Sequence, residues 1–285
     1  NLFFILKRAN KVNVTIINNK NENTAFKAIF GNDTALFNLT SLKLTNVNHN
    51  ILSKQDFIIL NEVTELSSGL LSTLISFTDN GGSLLIVPPA NLTNFNTYNI
   101  LLKSLALNTI KDTSKDELKI NRFSTKHPIY QNVFTEELNK VNYPTSNHAY
   151  FLDNQKINSQ IIGLANRKDF LSEYSSEKGT KYQFASPLDK RYNNFSRHAL
   201  FVPTLINMAT SSILVKKPYY IINVDKEVST KYVNTLTDIT HIKGKGLDII
   251  PTVTNRNGKQ LLNPNNQITR NGIYSIINNN QTKLE

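Results

Sequence analysis

The sequence predicts an α/β protein, a parallel sheet flanked by helices, with a small antiparallel, sandwich-like β module at its C-terminal end. Three observations carry this. Residues 56–60 and 83–87 are short, mainly apolar runs of the kind a strand shows when both faces of its sheet are covered, and 12–17 is a third run rich in β-branched residues. Between the first two, Leu66, Leu70, Leu71, Leu74, Ile75 and Phe77 recur at helical spacing. Beyond residue 217 the runs shorten and Asn-Gly pairs separate them.

Taken in order, residues 1–10 hold the apolar run Leu2 to Leu6 before Lys7-Arg8, expected as a residual strand of an upstream β region. Residues 11–216 are expected to form the α/β domain. Its first step is the 12–17 strand, a polar loop over 18–23 and a helix over 24–30; residues 37–40 and 42–44 then alternate as a half-buried strand does. The β-α-β crossover from 54 to 89 is the clearest unit. Ser67 and Ser68 are its cap candidates, Gly81-Gly82 its helix stop, and Pro88-Pro89 its strand stop. A helix is expected over 98–107, strands at 151–152, 160–164 and 182–185, and a helix with one apolar face formed by Phe201, Val202, Leu205, Ile206, Ala209 and Ile213. Pro203 fits the first turn of that helix, where a missing N–H costs little. Residues 217–285 are expected as the β module, with strands at 219–224, 235–239, 247–253, 260–262 and 273–277. Asn257-Gly258 and Asn271-Gly272 are its hairpin signals, and Gly244-Lys245-Gly246 is expected as a turn.

Composition narrows the chemistry. With 39% hydrophobic residues in 285, the chain can bury a core. It has no cysteine, which excludes disulfides, thiolate metal sites and a cysteine nucleophile together. The net charge of +11 invites a nucleic-acid reading, but the basic residues are scattered, mostly lysine, and arginine is scarce. No nucleic-acid partner is expected, though weak electrostatic binding of an anionic polymer is a possible use of the charge. The most apolar stretch, 198–215, is interrupted too often by polar residues to span a bilayer. The chain begins at Asn1 and its one methionine is Met208, so it is expected to be a piece of a longer protein, with Leu284-Glu285 a cloning scar.

Five phrases, in this order, resemble a known family: Asp56 to Val63, Asn80 to Pro88, Tyr98 to Leu102, His127 to Phe134 and Ala199 to Leu205. Together they are similar to the large soluble region of BatA-like, aerotolerance-regulator-type bacterial membrane proteins. The resemblance implies a class I glutamine amidotransferase-like, flavodoxin-like fold. It also implies two N-terminal membrane helices and von Willebrand A-like and immunoglobulin-like regions elsewhere in the protein. The positive-inside rule then places the soluble region outside the cytoplasm, in the periplasm, as part of an inner-membrane protein. The implied partners are other envelope proteins or the remaining domains of the same chain, with membrane contact only through segments absent here.

The resemblance also permits a test for an active site. Enzymes of the class I amidotransferase fold carry a cysteine on a tight elbow and a His-Glu pair after a later strand. At the elbow expected after residues 83–87 stand Pro88, Pro89 and Ala90, and the later strand runs into Ser186-Pro187-Leu188. Nucleophile and base are both missing, so no catalytic residue is assigned and no enzyme is expected. The five histidines, His49, His127, His148, His198 and His241, lack metal-ligand spacing, and no phosphate-binding glycine loop is present, so neither metal nor cofactor is expected. Open α/β sheets bind ligands outside the carboxyl ends of their strands. The candidate crevice there is Asn18, Asn61, Glu62, Pro88, His148 and Asp189. The bland alternatives are that Asn61 and Glu62 cap the helix that follows, and that Asp189, Lys190 and Arg191 form a local ion pair. The expected role is therefore a non-catalytic, degenerate domain for assembly or partner binding. The alternatives are a divergent hydrolase or small-ligand sensor using the crevice, and the polymer binder.

Overall fold

A computed structural model describes residues 11–92, 94–114, 116–130, 133–134, 142–175, 179–212, 220–231, 239–244, 246–256, 259–278 and 281–283. The expected strand over 1–10 lies outside them. The described residues of 11–212 form one unit and those of 220–283 a second.

In the first unit the apolar runs become strands because they can be buried on both sides. β1 (Val12–Asn18) leads into α1 (Thr24–Asn32), whose N-terminus is capped by Asn23 accepting from the Ala25 and Phe26 amides. β2 (Phe37–Lys43) and a one-turn α2 (His49–Leu52) follow. Next come β3 (Phe57–Asn61), α3 (Ser68–Asp79) and β4 (Ser83–Val87). Then come α4 (Phe95–Ser104), β5 (Ile110–Ser114), β6 (Leu118–Phe123), β7 (Thr145–Ser146) and β8 (Ala149–Leu152). The unit ends with β9 (Ser159–Leu164), β10 (Asp169–Ser175), β11 (Thr180–Phe184) and α5 (Phe201–Ser211).

Nine strands join in the order β2-β1-β3-β4-β11-β10-β9-β6-β7. The first five are mutually parallel and the remaining four continue antiparallel. β5 and β8 pair separately as an antiparallel ribbon. Alternate residues of the central strands face two cores. Val14, Ile16, Phe57, Ile59, Leu85 and Val87 pack with Phe26 and Phe30 of α1 and Phe201, Leu205 and Met208 of α5. Ile58, Leu60, Leu84 and Ile86 pack with Leu70, Leu74 and Phe77 of α3 and Tyr98, Leu101 and Leu102 of α4. Helices therefore cover the sheet on both faces, and the period-2 side-chain alternation of each strand is what divides the two cores.

The expected strands at 151–152 and 160–164 form as β8 and β9, and the short strands β5 and β6 precede them. β10 went unread because its central residues Ser172 and Glu173 are polar yet buried. Ser67, whose Oγ accepts from the Leu70 amide at 3.3 Å, caps α3, so Asn61 and Glu62 are free for another role.

The second unit comprises β12 (Val228–Lys231), β13 (Thr240–Gly244), β14 (Leu247–Ile249), β15 (Thr252–Arg256), β16 (Lys259–Asn263), β17 (Ser275–Asn278) and β18 (Gln281–Lys283). They make two antiparallel sheets, β12-β16-β15 and β14-β13-β17-β18, which share a small core of Ile242, Ile249, Leu262 and Ile268. β15 and β16 are joined across Asn257-Gly258, residues that lie outside those described. Gly246, at φ +76°, turns the β13–β14 hairpin. Asn271-Gly272 joins no paired strands, because β16 and β17 belong to different sheets. The expected strand at 219–224 is not formed over 220–224, where the chain turns, and 235–238 lie outside the described residues.

Tight packing where α3 meets β11 makes one position diagnostic. A Cβ on Gly179 would lie 2.1 Å from the Thr78 carbonyl oxygen and 2.7 Å from that of Gly82, both backbone atoms that cannot swing away. Gly179→Ala is expected to destabilise the protein by about 1–3 kcal/mol, the usual cost of overpacking, as read from urea unfolding.

Candidate strand-end site

The strand order β2-β1-β3-β4-β11 reverses direction between β1 and β3, because β1 leads to a helix on one face and β3 to a helix on the other. Such a reversal opens a crevice at the carboxyl ends of the two strands. Asn18 and Asn61 end β1 and β3 side by side, and both are buried. Asn61 Nδ2 donates to Asn18 Oδ1 at 2.9 Å and to the Asn21 carbonyl at 3.3 Å. Asn18 Nδ2 donates to Ser41 Oγ at 3.2 Å and to the Leu42 carbonyl at 3.4 Å. These two candidate residues therefore satisfy one another and close the floor of the crevice.

Glu62 comes next and is held in an unusual way. Its backbone lies at φ +59°, the left-handed region, while its amide donates to the Val87 carbonyl at 3.0 Å. Its carboxyl is half-buried, and desolvation pushes its pKa up. The nearby Asp189 charge pushes the same way and Arg191 opposes them. Arg191 grips Asp189 with Nε to Oδ1 at 3.0 Å and Nη2 to Oδ2 at 2.9 Å, which holds the Asp189 carboxyl below its usual range. The same guanidinium lies 5.5 Å from the Tyr192 ring centroid.

His148 completes the cluster. Its ring sits edge-on to Tyr150 at 4.9 Å and tilted against Tyr192 at 5.4 Å. Burial lowers its pKa, and its Nε2 is buried with no hydrogen-bond partner among the described residues. Tyr150 donates to the Pro89 carbonyl at 2.6 Å, and its own pKa is pushed up by burial, with the Glu62 charge adding to the effect. Pro88 is buried behind this bond. The Ser186 hydroxyl donates to the His148 carbonyl at 2.8 Å and is itself fully buried, so it is bound into the scaffold.

The structure thus brings Glu62 near Asp189, sets His148 against Tyr150 and Tyr192, and buries Asn18, Asn61 and Pro88. Sequence reasoning passed over Tyr150 and Tyr192. The signal for Tyr150 was the His148/Tyr150 spacing of two, which puts both side chains on one side of a strand. Chemically the cluster offers a carboxyl that retains its proton above the ordinary range, a neutral imidazole and two aromatic rings. The strained turn follows β3, at Glu62, and not β4, where an elbow was expected.

Fold comparison agrees with this arrangement. A cytoplasmic protein from Salmonella typhimurium superposes with a TM-score of 0.53 at 11% identity, over 70% of this chain and 98% of its own. A ThuA-like protein from Bacteroides uniformis superposes at 0.50 and 11% identity, over 73% of this chain and 94% of its own. The shared fold is a mixed α/β sheet flanked by helices, which fits a flavodoxin-like architecture. No family model matches the sequence, and no curated protein does. No described helix is long and apolar enough to cross a membrane.

Two measurements test the electrostatics. Because the folded pKa of Glu62 lies above its unfolded value near 4.5, the folded state binds the extra proton, and this group's contribution to stability falls as pH rises through that window. Glu62→Gln should remove that fall, and Glu62→Gly should add about 1 kcal/mol more by relieving the left-handed backbone. Urea unfolding from pH 4 to about 8 reads both. For His148 the folded pKa lies below 6.5, so its contribution is complete above that value and is lost as pH falls. Imidazole NMR titration should show a midpoint below 6.5 for His148, and a midpoint above it would contradict the burial argument.

Proposed function

We propose that this chain is a non-catalytic, degenerate amidotransferase-like domain that works by binding a partner. In this reading it is the soluble, extracytoplasmic region of a membrane-anchored, BatA-like envelope protein, and its partners are envelope proteins or other domains of the whole protein. The observation that supports it is the chemistry of the strand ends. Pro88 and Pro89 follow β4, a hydrogen-bonded asparagine pair fills the crevice between β1 and β3, and the Ser146 and Ser186 hydroxyls both donate to the His148 carbonyl. A strand-end site without a nucleophile is not equipped for covalent catalysis, which leaves partner binding through other surfaces of the domain.

The test uses the full-length anchored protein. It should turn over no ester, amide or glycoside in a substrate panel, and crosslinking should recover the same envelope proteins with wild type and with the Asn61→Ala/Glu62→Ala variant. Hydrolysis that disappears in Glu62→Ala would sink the proposal.

A second reading, a small-ligand sensor, rests on the buried, unpartnered His148 Nε2, whose ring packs against Tyr150 and Tyr192. A buried acceptor or donor left unmatched is costly and invites an occupant. A metabolite that fills it at about 100 times its Kd should stabilise the wild type by about 2.7 kcal/mol. It should give no thermal shift in His148→Phe, and an equal shift in that variant would place the ligand elsewhere.

A further inference from the structure

We infer that the antiparallel half of the large sheet carries a second binding site, for a small ring-bearing organic anion with hydroxyl or amino donors. A depression of about 420 Å³ lies there, lined by Asn121, Arg122, Phe123, Ser124, Tyr143 and Gln160. It shares no residue with the strand-end cluster.

The depression exists because the ladder is irregular. β6 pairs Ile120 with Leu164 but Arg122 with Gly163, so Asn121 is an extra residue bulged out of register. β9 and β10 are likewise out of step between Asp169 and Ser172. Bulges re-aim side chains and gather beside functional sites. At this one, Asn121 Oδ1 is buried and has no hydrogen-bond partner among the described residues.

Gln160 is fixed alongside. Its Nε2 donates to Asp169, which also accepts from Asn158 Nδ2 at 2.7 Å and Ser172 Oγ at 2.7 Å. The amide lies over Gly163, where a Cβ would stand 2.6 Å from Gln160 Oε1. No described group donates to that Oε1 either, though unlike the Asn121 oxygen it is not closed off from water. Arg122 is exposed, and no described carboxylate pairs with it. The apolar wall is rigid: Phe123 stacks between Tyr143 at 6.2 Å and His198 at 6.1 Å, each 14° from parallel.

These groups define complementary chemistry. The two amide oxygens require O–H or N–H donors, the guanidinium requires a phosphate or carboxylate, and the aromatic wall accepts a ring face. The volume lies within the range of about 300–1,000 Å³ usual for small-molecule sites. A sugar acid, a sugar phosphate and a nucleoside monophosphate share this chemistry.

Isothermal titration of the full chain with glucuronate, ribose 5-phosphate and uridine monophosphate distinguishes among them, with inorganic phosphate as the charge-only probe. At least one ring-bearing anion should bind about tenfold or more tighter than phosphate, and Arg122→Gln and Asn121→Ala should each weaken it about tenfold. Asn121→Ala should melt no lower than wild type, since its Oδ1 has no bond to lose. Amide NMR shifts should move at Asn121, Ser124 and Gln160 and stay still at Glu62 and His148. The inference is overturned if none of the three binds, if phosphate binds equally well, if both variants bind like wild type, or if the shifts fall at the strand-end cluster.

Discussion

The organisation of the first unit depends on the contact between two buried asparagines. Where β1 and β3 send their helices to opposite faces of the sheet, both strands end beside a gap that neither helix covers. Any polar group there is cut off from water and must be satisfied internally. Asn61 donating to Asn18, with Asn18 donating onward to β2, ties three strand ends into one network. An apolar pair could fill the volume, but it could not reach across to the Ser41 hydroxyl and the Asn21 and Leu42 carbonyls that the amides bind. The network fixes where the chain leaves β3, and so fixes Glu62.

That placement has a cost that the rest of the site explains. Glu62 must adopt a left-handed backbone directly after the buried amide, a conformation glycine would take more easily. Its carboxyl is then carried into a half-buried position near a second carboxylate, and only the Arg191 fork on Asp189 limits the repulsion. Strain, desolvation and like charge concentrated on one side chain form a local conflict in an otherwise consistent fold. Such conflicts collect at functional sites, which is why the strand-end cluster outranks the other polar groups of this unit.

How far this was legible in the sequence depended on range. Strands β3 and β4 could be read because burial on both faces leaves apolar runs, β1 because its residues are rich in β-branched side chains, and α3 because its leucines keep helical spacing. The fold class followed from them. β10 could not be read: Ser172 and Glu173 are polar yet buried at its centre, so no apolar pattern marks the strand. Asn271-Gly272 misled for the converse reason, since the dipeptide encodes a turn but not which strands flank it. Glu62 and Asp189 were found from the rule that strand ends face the crevice. The Tyr150 contact to His148 had a local signal in their spacing of two, whereas the Tyr192 contact was hidden because it arises only when the loop after β11 folds against that segment.

The two halves of the nine-stranded sheet handle the same problem in opposite ways. In the parallel half the ends of β1, β3 and β4 are closed by packed amides and buried prolines, and the pairing is regular. In the antiparallel half the ladder slips at Asn121 and again between β9 and β10, and polar atoms stay unmatched around an open depression. A regular antiparallel ladder could pair those groups by shedding one residue from β6, and doing so would remove the cost of a buried lone acceptor. That the bulge and the unmatched oxygen occur together is the physical argument that this half of the sheet is shaped for something other than its own stability.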